Sequence, residues 1–266
     1  MIMVLSHAFC NISVAPVHLD PAHRSEQTTQ LLFGEKVEIL ELNDHQWARI
    51  RGRWDGYEGW CRIAQLQLIL PKEFKKPLRF ISYRHHDRLL LDHSELWLPL
   101  GSELSVLKSN KFQIGTTAPV FKGKRINLQK VESTSEGIRQ AALQYLHAPY
   151  QWGGRTIAGI DCSGLVQMAY KLCGQMVPRD ASEQAKMGLP IDFLMEARCG
   201  DLAFFDNEEG RIVHVGIMLD HETIIHATDT AGRVVVDKID NGGIISIALK
   251  KRTHNLRMVR RLLANT

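Results

Sequence analysis

One cysteine of this sequence lies where a nucleophile is expected. Cys162 follows a glycine-rich approach, Trp152-Gly153-Gly154, and begins a segment with helical apolar spacing. The unpaired N–H groups and the positive dipole end of a helix N-terminus favour a thiolate. The dipole contributes about 0.3–2 kcal/mol, which lowers a thiol pKa by roughly one unit. Because a free thiol is only slightly ionised at neutral pH, a cationic partner is also needed, and histidine is expected.

Two histidines further along the chain can supply that partner. His214 lies in an apolar, strand-like segment, and Gly216 shares its face of the strand and leaves room for another group. His226 lies in the next strand-like segment, so the two imidazoles are expected side by side in one hairpin. The pattern predicts Cys162 as nucleophile, His214 as its base and His226 as the residue that orients the base.

The same residues resemble the NlpC/p60 family of cysteine peptidases. Asp161-Cys162-Ser163-Gly164, His214-Val215-Gly216 and His226-Ala227 match the Cys-His-His elements of that family in order and approximate spacing. The resemblance covers residues from about 131 to 266 and implies a papain-like core. It also implies that Tyr150, which matches the family's tyrosine near the nucleophile, helps to form an oxyanion hole.

Within that family, SH3-like modules followed by the peptidase core resemble the γ-D-glutamyl-L-diamino acid endopeptidases, also called dipeptidyl-peptidase VI. These enzymes cut murein peptides after L-Ala-γ-D-Glu, release that dipeptide and require a free N-terminal L-Ala. An ammonium that enters a narrow site loses hydration, so carboxylates are expected around it. The candidates are Asp161 and Asp180, and the resemblance adds Glu26 from the N-terminal barrel.

The resemblance suggests further contacts with the substrate. Tyr57 would help the N-terminal barrel to close the pocket, and Ser163 would add a hydrogen bond. Arg155 could neutralise a substrate carboxylate, and Trp152 could form a wall of the site. Trp152 and Arg155 are equally plausible as structural residues, and Glu26 is nearly as plausible as an exposed loop carboxylate.

Other chemistries remain open for the same residues. A zinc site of Cys162, His214 and His226 has suitable ligand types but lacks a further thiol or carboxylate as fourth ligand. Three alternative functions are a general cell-wall endopeptidase, a non-catalytic protein that binds wall polymer, and an acyltransferase. The acyltransferase would need an apolar donor pocket, of which the sequence shows no large sign. We expect no metal and no cofactor.

The segments that must position these residues show helical apolar spacing first and strand-like spacing afterwards. The capping-box sequence Ser133-Thr134-Ser135-Glu136 predicts a helix that stops before Pro149, and a second helix is expected to stop at Gly174. From Asp201 onward the pattern predicts strands. Their expected ranges are 202–205, 212–219, 223–228, 233–239 and 256–262. The predicted class is α+β, a domain over residues 131–266 with helices packed on an antiparallel sheet.

The first part of the chain has an all-β pattern. Apolar alternation is followed by an Asp55-Gly56 turn and then by Tyr57-Glu58-Gly59-Trp60, which resembles a frequent sequence of bacterial SH3 domains. We predict one small SH3-like barrel over residues 1–70 and a second, degenerate one over residues 78–125. An irregular linker subdomain is the alternative for the second.

Composition limits the remaining functions. The 266 residues carry a formal net charge of +4 that is spread along the chain, which gives no footprint for nucleic acid. No apolar window is long enough to cross a bilayer, and no secretory leader is visible. Five cysteines, with no CxxC pair, argue against a disulfide framework. We therefore expect a cytoplasmic protein whose partner is a murein peptide, with no nucleic acid, membrane or obligate protein partner.

Overall fold

The apolar alternation of the first 70 residues produces short antiparallel strands. The computed structural model describes residues 3–108 and 118–263 and divides the chain into two units, Met1–Val131 and Glu132–Thr266. The strands that open the first unit are β1 (Ser6–Cys10), β2 (Val14–His18), β3 (Gln27–Leu32), β4 (Lys36–Leu42), β5 (Trp47–Gly52), β6 (Glu58–Arg62) and β7 (Leu66–Ile69). They form one sheet in the order β3-β2-β6-β5-β4-β1-β7.

The hairpin between β5 and β6 contains the predicted Asp-Gly turn. Gly56 has a φ of +73°, a conformation that glycine adopts without a Cβ penalty, and the amide of Tyr57 donates to Asp55 Oδ1 at 3.0 Å. Inward-facing residues of the sheet, which include Val17, Val37 and Ile50, bury a common core. The turn joins β5 to β6, and the apolar alternation places one face of the sheet in the core, as the sequence pattern predicts.

The remainder of the first unit is built from short pieces. They are α1 (Pro71–Lys75), β8 (Phe80–Ser82), β9 (Arg88–Leu90), β10 (Glu95–Trp97), β11 (Val120–Lys122), β12 (Arg125–Asn127) and 3-10 turns at Ile63–Gln65, Leu104–Lys108 and Leu128–Lys130. The strands form a sheet β10-β9-β11 and a pair β12-β8. Phe9 of β1 and Phe33, just after β3, share a core with Leu89, Leu98 and Leu104. A second SH3-like barrel over 78–125 stays a prediction.

The predicted domain boundaries also stay predictions. Each predicted domain includes residues outside the described part of the chain, namely 1–2 within 1–70, 109–117 within 78–125, and 264–266 within 131–266.

Helices open the second unit, as the change in apolar spacing predicts. They are α2 (Ser135–Leu143), α3 (Cys162–Leu172) and α4 (Ala181–Gln184), with the two-residue strands β13 (Arg155–Thr156) and β14 (Gly159–Ile160) before α3. The cap of α2 is Thr134, whose hydroxyl accepts from the amide of Gly137 at 3.1 Å. The predicted capping box starting at Ser133 is therefore displaced by one residue, and Thr134 satisfies the free helix amide instead.

An antiparallel sheet follows the helices. Its strands are β15 (Leu189–Ile191), β16 (Leu202–Asp206), β17 (Ile212–Met218), β18 (Thr223–Thr228), β19 (Arg233–Asp240), β20 (Gly243–Ser246) and β21 (Lys251–Arg261), with 3-10 turns at Leu194–Glu196 and Asp229–Ala231. The order is β15-β21-β16-β17-β18-β19-β20, and β20 also pairs with β21, so the sheet closes on itself. Strands β15 and β20 were not predicted from the sequence, and β21 begins five residues before its predicted start at Leu256.

Every residue of α3 is buried, because α2 lies against the helix on one side and β17 and β18 lie against it on the other. Its N-terminus is therefore held firmly beside the middle strands of the sheet. Among the described residues, no helix combines the length and the apolar character needed to cross a membrane.

Candidate active site

The N-terminus of α3 presents Cys162 as its first residue. Asp161 is the N-cap, and its Oδ1 accepts from the amide of Gly164 at 2.7 Å and from Ser163 Oγ at 3.3 Å. A Cβ on Gly164 would lie 2.3 Å from the carbonyl oxygen of Gly154, so glycine is needed where the approach loop crosses the helix. The glycines before and after Cys162 thus allow the loop at Gly154 to pack closely against the first turn of α3.

The thiol of Cys162 is protonated at rest. Burial raises its pKa to about 12, and the neighbouring Asp161 acts in the same direction, while the backbone amides of Val215 and Ser163 and the charge of Arg179 lower it. The thiolate that the helix dipole alone would favour is therefore not the resting state. A base must take the proton as the sulphur reacts. The contact with the Val215 amide puts the thiol next to β17, one residue from His214.

The two predicted histidines lie on adjacent strands and contact each other. His214 Nε2 lies 2.8 Å from His226 Nδ1, with the ring planes 80° apart. On the far side, His226 Nε2 lies 3.3 Å from Asp237 Oδ2, on β19. A Cβ on Gly216 would lie 3.0 Å from the Cβ of His226 and closer still to Ile224, so the room that Gly216 leaves is used by β18. The structure thus forms a buried row of His214, His226 and Asp237.

His214 is in its basic form at neutral pH. Its side chain is buried, and burial lowers its pKa well below the usual value, with smaller contributions in the same direction from His226 and His254. A neutral imidazole can accept a proton from a neutral thiol. The directions of these two pKa shifts favour general-base activation over a preformed thiolate and imidazolium pair.

A third histidine, His254 of β21, packs on His214. The two rings are stacked, with centroids 4.1 Å apart and planes at 22°. His254 Nδ1 lies 2.9 Å from Thr253 Oγ1, and burial, followed by the influence of His226, lowers the pKa of His254 to about 4. The sequence analysis did not single out this residue.

Within the described residues, His214, His226 and His254 offer ligand atoms within 4.8 Å of one another and form the group that could hold a metal. Zinc bound to two imidazoles separates their nitrogens by about 3.3 Å, because each bond is about 2.0–2.1 Å in a tetrahedral site. The 2.8 Å contact between His214 and His226 is shorter than this. Stacked rings also direct their in-plane lone pairs side by side rather than towards one point. A metal would need a rearranged site.

Tyr150 lies near the thiol. It is half-buried, its amide donates to the carbonyl oxygen of Gly232 at 2.8 Å, and it forms a bridge with Ile160, two residues before Cys162. Burial raises the pKa of Tyr150, and the nearby Cys162 and Asp161 raise it further. The phenol therefore keeps its proton and can donate a hydrogen bond to a developing oxyanion.

Sequence comparison assigns the chain to a family. The profile of the NlpC/P60 family matches residues 147–253, and that of the bacterial dipeptidyl-peptidase Sh3 domain matches residues 17–66. A gamma-D-glutamyl-L-lysine dipeptidyl-peptidase of Bacillus subtilis (strain 168) is 32% identical over 78% of this chain and 74% of its own length. The chain belongs to the NlpC/P60 family. A dipeptidyl-peptidase 6 of Lysinibacillus sphaericus is 26% identical over 85% of this chain and 89% of its own length.

Structure comparison agrees on the fold. The crystal structure of an NlpC/P60 family protein from Bacillus cereus aligns with a TM-score of 0.80 over 97% of this chain and 100% of that one, at 18% identity. The predicted fold class, an α+β NlpC/P60 domain preceded by an SH3-like all-β region, is confirmed. As a member of this family, the chain is a peptidase of the cysteine class.

A buried ion pair lies behind the NlpC/P60 nucleophile. Arg179, which is fully buried, donates from Nη2 to Asp161 Oδ2 at 2.5 Å and from Nη1 to Ser163 Oγ at 2.7 Å. Asp161 Oδ2 also accepts from the amide of Gly153 at 2.8 Å. Both oxygens of Asp161 are thus engaged within the protein, and Ser163 is held in the same network.

The remaining predicted substrate residues are distributed over both units. Asp180 is exposed at the N-cap of α4, and the side chain of Trp152 is 59% exposed. Arg155 is buried in β13. Glu26 is exposed on the loop between β2 and β3 of the first unit, and Tyr57 is half-buried just before β6. Their contacts with a substrate stay predictions.

Three residues of the NlpC/P60 site were not found from the sequence. Arg179 stands next to Asp180, which was predicted for its carboxylate, and a buried carboxylate generally needs a cation such as Arg179. Asp237 interrupts the apolar run Val234-Val235-Val236, and an acid in such a strand signals a buried partner. His254 lies in a strand of polar and charged residues, and no sequence signal marks it.

Proposed function

We propose that this NlpC/P60 peptidase hydrolyses the γ-D-glutamyl-L-diamino acid bond of murein peptides that carry a free N-terminal L-Ala, and releases L-Ala-γ-D-Glu. The observation that carries the chemistry is the Cys162 thiol at a helix N-terminus, beside a strand whose His214 is buried, neutral and hydrogen-bonded to His226. The substrate is supported by the names of two relatives, a gamma-D-glutamyl-L-lysine dipeptidyl-peptidase and a dipeptidyl-peptidase 6.

In the proposed reaction, the sulphur of Cys162 attacks the γ-carbonyl carbon of D-Glu while its proton passes to His214. Tyr150 donates a hydrogen bond to the resulting oxyanion. His214 returns the proton to the departing amine of the diamino acid, the C–N bond breaks and a thioester remains. Water then attacks the thioester and gives a proton to His214, which returns it to the sulphur as L-Ala-γ-D-Glu leaves with a new carboxylate.

We propose that Asp180 and Glu26 bind the ammonium of L-Ala and that Asp161 acts on it indirectly. This division is supported by exposure, because Asp180 and Glu26 are exposed whereas Asp161 is buried against Arg179. Asp161 therefore acts on the substrate through the electrostatic field of its ion pair and through the position it gives to Ser163 and Cys162. We propose that Trp152 and Tyr57 border the pocket. The burial of Arg155 favours the structural role that the sequence left open.

The decisive experiment compares L-Ala-γ-D-Glu-diaminopimelate with its N-acetyl form and follows the product masses. Acetylation removes the charge that the carboxylates compensate. Where the bound peptide buries these carboxylates, the loss of their partner costs about 3–5 kcal/mol. This corresponds to roughly two to four powers of ten in kcat/KM. Similar rates for the two peptides would favour a general cell-wall endopeptidase. Absence of any cleavage would favour a wall-binding protein, and transfer of an acyl group to an added amine would favour an acyltransferase.

The same requirement suggests where the enzyme acts. In intact peptidoglycan the L-Ala nitrogen is joined to the muramyl lactyl group, so an amidase must first free the stem peptide. We propose a role in recycling of released murein peptides in the cytoplasm. Fractionation of cells that produce the protein from its own gene, with detection by antibody, tests the compartment, and enrichment outside the cytoplasm would reject that part of the proposal.

A further inference from the structure

Asp237 is the last member of the buried row behind the base, and the proposed reaction does not yet use it. The residue is buried, and its two oxygens have different partners. Oδ1 accepts from the amide of Ile247 at 2.8 Å, and Oδ2 lies 3.3 Å from Nε2 of His226. The carboxylate is thus anchored on one side by the backbone and faces an imidazole on the other.

Asp237 is ionised at neutral pH. Burial by itself raises the pKa of this carboxyl group, but the hydrogen bonds from His226 and from the Ile247 amide outweigh burial and hold the pKa below its usual value. A carboxylate can only accept hydrogen bonds. Nε2 of His226 must therefore carry a proton and donate it to Asp237.

The proton on Nε2 of His226 fixes the direction of the hydrogen bond between His226 and His214. When His226 is neutral, its imidazole has one N–H group and one lone pair, so Nδ1 is an acceptor. Nε2 of His214 lies 2.8 Å from it and must be the donor. The neutral His214 then has its lone pair on Nδ1. The nitrogen that is not engaged by His226 is consequently the one that can take the thiol proton.

We infer that Asp237 is a positioning residue that sets the tautomers of His226 and His214 in sequence and thereby makes Nδ1 of His214 the base. As His214 becomes an imidazolium, the carboxylate also stabilises the new charge through the same row of hydrogen bonds. The kinetic part of this inference rests on the proposed function, whereas the tautomers exist without substrate.

The substitution Asp237→Asn tests the inference sharply, because the Ile247 amide fixes the orientation of the new side chain. That amide needs an acceptor, so the carboxamide oxygen will face Ile247 and the NH2 group will face His226. Nε2 of His226 must then accept, its Nδ1 must donate, and His214 must carry its proton on Nδ1. Both tautomers are reversed and the base is lost, although the volume of the side chain is almost unchanged.

For Asp237→Asn we expect kcat on the murein peptide to fall by up to about 10⁴-fold, the size of effect that the wrong tautomer has in an analogous triad. KM should stay within about twofold, because Asp237 does not touch the substrate. The matched control is Asp201→Asn. Asp201 is also a buried carboxylate of the second unit and also accepts from a backbone amide, that of Arg198 at 2.8 Å, but its partner is Arg261. The control should keep the kcat of the parent.

A second measurement needs no substrate. In protein with 15N-labelled histidine, long-range proton–nitrogen correlation spectra should show His214 and His226 protonated on Nε2 alone, and both protonated on Nδ1 alone in Asp237→Asn. A parent in which His226 carries its proton on Nδ1, or on both nitrogens, overturns the inference. So does a variant with parental kcat or with unchanged tautomers. If the parent fails to cleave murein peptides while the tautomers are as expected, the proposed substrate is wrong and the role of Asp237 stands.

Discussion

The second unit buries two carboxylates near its nucleophile, and it treats them differently. Asp161 is paired with Arg179, a cation that keeps its charge at any pH at which the protein is folded. Asp237 is paired with His226, which can exchange a proton and is linked to His214. A carboxylate paired with arginine can hold a loop and a helix in place, but no proton can move there. A carboxylate paired with imidazoles can follow a proton through the reaction. Asp161 and Arg179 therefore have a structural role, whereas Asp237 and His226 take part in proton transfer.

The largest effect should be the loss of activity when a residue that transfers the proton or attacks the substrate is replaced. Cys162→Ala and His214→Ala should each lower kcat/KM by about 10⁴-fold or more, because neither the nucleophile nor its base can be bypassed. His226→Ala should be less damaging, since it orients the base and does not itself take the thiol proton. Assays of purified variants with unchanged circular dichroism decide this. The control is His221→Ala, on the turn between β17 and β18; an equal loss there would show that the wrong histidine was chosen.

Substitutions in the ion pair of Asp161 and Arg179 should lower the free energy of unfolding. Arg179→Met leaves Asp161 buried without its cation, which costs about 3–5 kcal/mol in the free energy of unfolding. The double variant Asp161→Asn/Arg179→Met should recover much of this loss, because asparagine still caps α3 and no buried charge remains. Urea unfolding of the full-length parent and of the two variants measures the loss and its recovery. If Arg179→Met is as stable as the parent, the ion pair does not hold the site together and the proposed contrast with Asp237 fails.

A smaller effect should appear in the pH dependence of stability. Burial lowers the pKa of His214 well below its usual value and that of His254 to about 4. The unfolded chain takes up these protons near pH 6.5, whereas the folded protein resists them, so stability should fall as the pH decreases from about 6.5 to 4. His254 contributes to this loss, and solvent screening of its partly exposed ring reduces the contribution. Melting curves of the parent and of His254→Asn measure it, and parallel pH profiles for the two proteins would contradict the assignment to His254.

The smallest effect should come from metal removal. Dialysis against a strong chelator should leave the peptidase activity unchanged, because the nitrogens of His214 and His226 bond to each other at 2.8 Å rather than opening to the spacing that zinc requires. Iodoacetamide should abolish the activity by alkylating Cys162, because His214 takes the thiol proton as the sulphur attacks. Recovery of activity in chelated protein on addition of zinc would transfer the chemistry to the histidine group.

The sequence allowed the local elements of the site to be predicted where a short-range rule applied. The start of α3 at Cys162, the Asp55-Gly56 turn and the pairing of β17 with β18 follow from glycine placement, capping and apolar periodicity. The cap of α2 was misplaced by one residue because Ser133 and Thr134 are chemically alike, and only the backbone decides which hydroxyl meets the free amide. Strands β15 and β20 are too short to show a period.

The set of reacting groups and their order can be predicted from the sequence alone, because a nucleophile, its helix and its histidines are each marked by neighbours along the chain. The protonation of those groups depends on the tertiary structure. The high pKa of Cys162 and the low pKa of His214 arise from burial, and the partners Arg179, Asp237 and His254 come from three other segments. Desolvation and hydrogen-bond direction depend on atoms that surround a group in space. Positions along the chain do not specify them until the sheet has closed around α3.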